Sequence, residues 1–212
     1  MIKINTLNGN TFAQMIISGA NNLYNNRKTV DELNVFPVPD GDTGTNMSLT
    51  ATAMATELLK KGDTTLTKAA DTMSFATLRG ARGNSGVILS QLFRGFYKGV
   101  KGEDVLTTET AAAGFKNAVD TAYKAVMKPK EGTILTVASA GAAKAQEILV
   151  DGEMTDLLTF CDEVSQSMEE ALLNTPELLP VLKQAGVVDS GGQGLMQELK
   201  GAFAVSYTHL TL

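Results

Sequence analysis

The stretch Asn34-Val-Phe-Pro-Val-Pro-Asp40-Gly-Asp42-Thr-Gly-Thr-Asn46 places two carboxylates two residues apart in a segment whose prolines and glycines oppose helix formation. Gly41 adds no bulk between them and permits unusual backbone angles, so Asp40 and Asp42 can point to one side. Two carboxylates this close repel each other unless a cation or strong donors lie between them. Mg²⁺ suits such a pair, because it binds one or two carboxylates and completes its shell with water and phosphate oxygens.

A simpler interpretation of the same stretch is a solvated turn in which Thr45 caps the following helix. The spacing of the residues alone does not separate the two interpretations. The Pro37-Val-Pro39 segment favours the cation site, because an ordinary surface turn does not need such stiffening.

The overall composition is that of a globular chain without the marks of an exported or nucleic-acid-binding protein. Its 212 residues are 43% hydrophobic and carry a net charge of −5, with no basic stripe for nucleic acid. The single cysteine, Cys161, excludes an internal disulfide framework and predicts a cytoplasmic protein with a buried structural thiol. No stretch approaches the roughly 20 apolar residues of a membrane span. The only histidine is His209, so histidine chemistry has almost no material.

Apolar residues recur at spacings of three and four through most of the chain, which predicts an all-α protein. The short connections predict eight helices in an up-and-down antiparallel barrel or bundle. We expect Asn10 or Thr11 to cap the first helix, which is followed by a short turn over residues 30–33. The later helices are predicted near residues 45–59, 66–78, 87–100, 107–127, 133–150 and 154–173, then a short segment at 178–184 and an eighth helix opened by 189–194.

The sequence predicts one domain over residues 1–204 and an atypical tail over residues 205–212. The tail breaks the amphipathic pattern of the last helix, and its end resembles the peptide obtained by translating sequencing-adaptor DNA. We therefore expect a fragment of a longer protein, with His209 present by accident.

Four glycine-rich turns precede predicted helices, at residues 40–46, 80–86, 131–133 and 189–194. In an up-and-down arrangement these four helix starts can share one end of the molecule. Helix N-termini present unpaired N–H groups and the positive end of the helix dipole, so they form an anion cradle without basic side chains. Together with Asp40 and Asp42, this arrangement predicts a metal and polyphosphate site at one mouth of the barrel.

Four motifs resemble a known family. They are Val38-Pro-Asp-Gly-Asp-Thr-Gly-Thr-Asn-Met47, Gly80-Ala-Arg-Gly-Asn-Ser-Gly-Val-Ile-Leu-Ser-Gln91, Lys128-Pro-Lys-Glu-Gly-Thr-Ile-Leu-Thr-Val137 and Gly186-Val-Val-Asp-Ser-Gly-Gly192. Over about residues 5–204, the chain resembles the N-terminal kinase domain of bacterial fatty acid kinase. That domain is similar to the ATP-binding L subunit of dihydroxyacetone kinase.

The resemblance implies an eight-helix barrel that holds ATP or ADP and two Mg²⁺ ions at one mouth, with Asp40 and Asp42 as metal ligands. Relatives of the dihydroxyacetone kinase type carry a third aspartate at the position of Val35, and Asn34 is the nearest substitute for that ligand. The nucleotide contacts that the resemblance implies are Thr43, Thr45, Asn46, Ser85, Gly86, Gly132, Thr133, Asp189 and Gly191.

The resemblance further implies an ATP-dependent kinase that transfers the γ-phosphate to a fatty acid carboxylate, giving an acyl phosphate. The fatty acid is held by a separate fatty-acid-binding protein, and the full-length subunit, with further domains, is expected to be a homodimer. No side chain stands out as a nucleophile or base, which agrees with a reaction that needs mainly positioning and charge neutralisation. Two alternatives stay open, a dihydroxyacetone-kinase-type phosphotransfer subunit and a non-catalytic nucleotide-binding module. We expect this fragment to bind nucleotide with weak or no activity.

Overall fold

The structure is a computed structural model that describes residues 4–150 and 156–209. Within these residues it contains ten helices, of which eight are long and two are short. They are α1 (Gly9–Glu32), α2 (Thr43–Leu59), α3 (Leu66–Gly80), α4 (Gly83–Val100), α5 (Thr108–Ala125), α6 (Ile134–Val150), α7 (Leu157–Leu173), α8 (Thr175–Leu178), α9 (Pro180–Ala185) and α10 (Ser190–His209).

The eight long helices form a closed ring in which each helix packs against the next, and α10 returns to pack against α1. Because consecutive long helices alternate in direction, the N-termini of α2, α4, α6 and α10 lie at one end of the ring. The predicted all-α up-and-down barrel is confirmed, and α8 and α9 account for the predicted short segment between the last two long helices.

The first helix begins earlier and ends later than predicted. Asn8, rather than Asn10 or Thr11, is the N-cap, and its side chain accepts a hydrogen bond from the backbone N–H of Thr11 at 2.9 Å. The helix also continues through the predicted turn, because Val30 lies two turns beyond Leu23 on the same buried stripe. Residues 30–32, which were predicted to form a turn, are therefore the last residues of α1.

The glycine-rich segments at residues 40–46, 80–86 and 189–194 run into the first turns of α2, α4 and α10, whereas residues 131–133 directly precede α6. Helices α2 and α4 begin earlier than predicted. Thus α4 begins at Gly83. A Cβ atom on Gly86 would lie 2.3 Å from Oγ1 of Thr50, and one on Gly194 would lie 2.6 Å from the sulfur of Met47. These glycines allow neighbouring helices to approach closely at the end of the barrel where the four helix starts meet.

A chain of aromatic rings crosses the barrel interior. Phe12 stacks on Phe96 with ring centroids 5.8 Å apart, Phe96 meets Phe115 edge-on at 6.0 Å, and Phe115 lies 6.4 Å from Phe160. Beside these rings lies a void of about 110 Å³ with apolar walls. Cys161 borders this void, and burial raises the pKa of its thiol to about 12. The predicted burial of this cysteine is confirmed.

The end of the barrel opposite these helix starts is crossed by the segment that precedes α1. Leu7 and Leu106 exchange two backbone hydrogen bonds, at 2.9 and 2.8 Å, and the N–H of Leu157 donates to the carbonyl of Ile4 at 2.7 Å. The segment thereby ties the starts of α5 and α7 together.

The last helix does not stop where the amphipathic pattern breaks, because α10 continues through residues 205–209. The predicted domain end at residue 204 stays a prediction, and residues 210–212 and the predicted start of the seventh helix at Met154 lie outside the described residues. No helix in the described part of the chain combines the length and the hydropathy needed to cross a bilayer.

Candidate functional site

The end of the barrel at which α2, α4, α6 and α10 begin opens into a cleft of about 630 Å³. All four predicted glycine-rich turns contribute to this end. Three of the predicted site residues, Thr45, Gly86 and Gly132, do not form part of the cleft wall. The predicted residues that do line the cleft are Asn34, Asp40, Asp42, Thr43, Asn46, Ser85, Thr133, Asp189 and Gly191.

The loop that carries the two carboxylates is held in place by Asn34. Its buried side chain donates from Nδ2 to the carbonyl of Val38 at 3.0 Å and accepts at Oδ1 from the N–H of Asp42 at 3.1 Å. Gly41 adopts a φ of +67°, a value that favours glycine. Asn34 therefore fixes the loop on both sides of Asp40, and its predicted role as a third metal ligand stays a prediction.

Helix α2 is capped by a side chain from α1. Asp42 occupies the N-cap position, but its carboxylate makes no capping hydrogen bond. Instead, Asp31 accepts from the N–H of Thr45 at 2.9 Å and from its hydroxyl at 2.7 Å. Within the described residues, the carboxylates of Asp40 and Asp42 accept no hydrogen bond and form no ion pair. Both carboxylates are therefore available to a cation.

The donor set at this loop fits Mg²⁺ together with a bound anion. In the part of the chain that the structure describes, no three Asp, Glu, His or Cys side chains converge into a metal-binding group. A cation held by Asp40 and Asp42 must therefore complete its shell with water, neutral oxygens of the protein or an anion. Mg²⁺ is bound in this way where a protein supplies one or two carboxylates and a ligand supplies phosphate oxygens.

The N-terminus of α4 is open to the cleft. Arg82 is its N-cap and makes no side-chain capping bond, and the first backbone bond runs from the N–H of Gly86 to the carbonyl of Arg82 at 3.0 Å. The N–H groups of Gly83, Asn84 and Ser85 have no partner among the described residues. Asn84 and Ser85 line the cleft, so this helix start presents unpaired donors and a positive dipole end to an anion.

The starts of α6 and α10 are capped by the protein itself. Asp189 accepts from the N–H of Gly192 at 2.7 Å and from the N–H of Ile134, and the hydroxyl of Thr133 accepts from the N–H of Leu135 at 3.4 Å. Burial raises the pKa of Asp189 to about 6, although its N–H donors act in the opposite direction. Asp189 thus joins two helix starts, and its predicted contact with nucleotide stays a prediction.

The cradle differs from the predicted one in two respects. Side chains cap the starts of α2, α6 and α10, whereas the start of α4 has no side-chain cap within the described part of the chain. The cleft wall also contains two basic side chains, Lys128 and Lys130, whereas a cradle without basic side chains was expected. The sequence signal for them was the Lys-Pro-Lys segment directly before the turn at Gly132.

Two of the predicted contact glycines serve helix packing instead of forming the cleft wall. A side chain at Gly86 would meet Thr50, and Gly132 has a φ of +79° with Leu179 within 2.8 Å of where its Cβ would lie. Neither glycine lines the cleft, and their predicted contact with nucleotide stays a prediction.

Part of the cleft wall is apolar. The residues before Asp40 and at the end of α5 supply it, namely Phe36, Pro37, Val38 and Val126. An apolar wall beside a carboxylate pair and an open helix start suits a ligand with a flat apolar ring at one end and anionic groups at the other. The fold and the cleft define a helical-barrel domain with a combined cation and anion site at one mouth.

Comparison with known families supports this class. The DAK2 domain matches residues 37–204, so the chain belongs to the DAK2 domain family. It is 53% identical over 203 residues to protein YloV of Bacillus subtilis, a match that covers 96% of this chain and 36% of that protein. It is 52% identical over 198 residues to an uncharacterized protein of Staphylococcus epidermidis, with 93% and 36% covered. The chain therefore spans about a third of the length of these relatives.

Solved structures with the same fold include the dihydroxyacetone kinase from C. freundii in complex with AMP-PNP and Mg²⁺. That structure has a TM-score of 0.66 at 17% sequence identity and covers 89% of this chain and 32% of the kinase chain. The native form of the same kinase has a TM-score of 0.63 at 18% identity. At this level of identity the likeness shows a shared fold.

Proposed function

We propose that this chain is the Mg²⁺-ATP-binding domain of a kinase. One observation carries the proposal: the unpaired carboxylates of Asp40 and Asp42 line the same cleft as the uncapped start of α4. A Mg²⁺-bound polyphosphate matches both features, because the carboxylates hold the cation and the N–H groups of Asn84 and Ser85 hold phosphate oxygens. The apolar wall at Phe36 is then the place for the base.

We further propose that the phosphoryl acceptor is a fatty acid carboxylate presented by a separate fatty-acid-binding protein. In this reaction the carboxylate oxygen attacks the γ-phosphorus, the bond from that phosphorus to the bridging oxygen of ADP breaks, and an acyl phosphate forms. Such a transfer needs positioning and charge neutralisation and no protein nucleophile.

The acceptor assignment rests on the four motifs that resemble bacterial fatty acid kinase. Val35, at the place of a carboxylate in dihydroxyacetone-kinase-type relatives, argues against the dihydroxyacetone alternative. Since the chain spans about a third of its relatives, full activity and the proposed homodimer would need the rest of the protein. The single buried cysteine supports a reducing compartment such as the cytoplasm.

The nucleotide proposal is tested by isothermal calorimetry with ATP, in Mg²⁺ and in EDTA. We expect Mg²⁺-dependent binding by the wild type, and loss of that dependence in Asp40→Asn and Asp42→Asn with the melting temperature unchanged. Asp120→Asn is the matched control, since Asp120 lies on α5 outside the cleft and pairs with Lys116. Absence of Mg²⁺-dependent binding in the wild type, or normal binding in both cleft variants, would overturn the proposal.

The acceptor is tested on the full-length protein, with a fatty acid on its binding protein and, separately, with dihydroxyacetone. Formation of acyl phosphate in the first reaction supports the proposal. Phosphorylation of dihydroxyacetone instead would replace the acceptor, and nucleotide binding without transfer to either would indicate a non-catalytic module.

A further inference from the structure

We propose that Lys128 and Lys130 form a clamp on the polyphosphate chain of the bound nucleotide. Among the described residues, they are the only cationic side chains in the cleft wall. The inference rests on the proposed function, because it requires a nucleotide in the cleft.

The connection that carries the two lysines is fixed to the helices on both sides. Glu131 accepts from the hydroxyl of Tyr123 on α5 at 3.1 Å and from the hydroxyl of Thr136 on α6 at 2.7 Å. The carbonyl of Lys130 accepts from the hydroxyl of Thr133 at 2.8 Å. The backbone on which the lysines stand is therefore held beside the cleft before any ligand binds, which lowers the entropic cost of using them.

Neither lysine is neutralised by the protein. The neighbouring carboxylate, Glu131, is held by Tyr123 and Thr136. Within the described residues, neither Lys128 nor Lys130 forms an ion pair or a side-chain hydrogen bond. Several other lysines do pair with carboxylates, namely Lys60, Lys116, Lys144, Lys183 and Lys200.

The acidic side chains of the cleft wall would repel a polyphosphate unless positive charges offset them. Its wall carries the carboxylates of Asp40, Asp42 and Asp189, in a chain whose net charge is already −5. A polyphosphate adds further negative charge, and the start of α4 offers only partial positive charge to meet it. Two ammonium groups on flexible stems supply full charges and several donors to phosphate oxygens.

The experiment compares Lys128→Gln, Lys130→Gln and the double variant with Lys124→Gln. Lys124 is exposed near the end of α5 and outside the cleft wall, so its substitution makes the same change in net charge. Calorimetry is run with ATP, ADP, AMP and adenosine, in Mg²⁺ and at two salt concentrations. A melting curve of each variant reports whether the fold is retained.

We expect each single substitution to weaken ATP binding about 10-fold, as for the loss of one charge-assisted hydrogen bond, and the double variant to lose more. The loss should shrink from ATP to AMP and vanish for adenosine, and Lys124→Gln should stay within about 2-fold of the wild type. Arginine at both positions should retain most of the affinity. The wild type should lose ATP affinity more steeply with salt than the double variant does.

A double variant that bound ATP as tightly as Lys124→Gln would overturn the clamp while leaving the proposed function intact. Equal losses for ATP and adenosine would also overturn it, since adenosine has no phosphate. A wild type that bound no ATP would overturn the clamp and the proposed function together.

Discussion

The carboxylate of Asp31 caps a helix to which it does not belong. Its two oxygens accept from the N–H and the hydroxyl of Thr45, at 2.9 and 2.7 Å, across the gap between α1 and α2. Asp31 thereby takes the N–H that an N-cap side chain of α2 would normally bind. Asp42, which stands in the N-cap position, keeps its carboxylate for the cleft.

Removing this cap is predicted to affect both stability and cation binding. Asp31→Ala should lower the free energy of unfolding by about 1 kcal/mol, the usual cost of a lost cap. It should also weaken Mg²⁺-dependent ATP binding, because the carboxylate of Asp42 can then turn toward the N–H of Thr45. Urea unfolding and calorimetry measure the two effects. Asp31→Asn keeps a side-chain acceptor and is the control, and a destabilised Asp31→Ala with wild-type affinity would refute the link to the cleft.

Adjacent residues at the start of α4 should respond in opposite ways. Ser85→Ala should weaken ATP binding with little change in stability, since Ser85 lines the cleft and the change removes a hydroxyl donor while keeping the backbone N–H. Gly86→Ala should cost about 1–3 kcal/mol of stability, because the new Cβ would lie 2.3 Å from Oγ1 of Thr50. Calorimetry and urea unfolding of both variants check this. A stable Gly86→Ala variant with weakened ATP binding would instead support the predicted nucleotide contact of Gly86.

A buried acid on α10 should make the protein less stable as pH rises. Glu198 is 3% exposed, and its carboxylate oxygens have no hydrogen-bond partner among the residues that the structure describes. Helix α1 approaches it closely at Gly19. Burial raises the pKa of Glu198 to about 8 from an ordinary value of 4.5. The folded state therefore favours the protonated form, and its stabilising effect is complete below pH 4.5 and is lost as pH rises through 8.

The test is urea unfolding of the wild type and Glu198→Gln between pH 6 and 9. This window avoids most of the contribution of Asp189, whose pKa is raised only to about 6. Relative to the glutamine variant, the wild type should lose about 3 kcal/mol between pH 6 and 8, at roughly 1.4 kcal/mol per pH unit, and little more above pH 8. Parallel pH profiles for the two proteins would show that Glu198 is ionised in the folded state at neutral pH.

The single cysteine should be inert in the folded protein. Burial raises the pKa of Cys161 to about 12, so almost no thiolate is present at pH 8. A chromogenic disulfide reagent should react with it only in denaturant, and Leu157→Ala, which opens the packing on the same helix face, should speed the reaction. Rapid labelling of the native wild type would contradict the buried position.

The spacing of apolar residues at three and four positions predicted the fold well, because the formation of a helix depends mainly on residues close together in the chain. It gave eight long helices and their order, and it placed their glycine-rich starts at one end. It failed at helix boundaries. Val30 looked like part of a turn, but it is buried on the stripe of α1 because α2 and α10 pack around it.

The sequence by itself determined the all-helical barrel, the stiff Asp40-Gly-Asp42 loop and the position of that loop before a helix, since each follows from residues close together in the chain. Only the tertiary structure decided which polar groups the cleft can use. Asp31 meets Thr45, and Asp189 reaches the start of α6, so these groups satisfy one another. Among the described residues, the carboxylates of Asp40 and Asp42 and the N–H groups at the start of α4 are left for a ligand. The reason is that a buried donor or acceptor bonds to whichever partner the packing of the helices brings within reach.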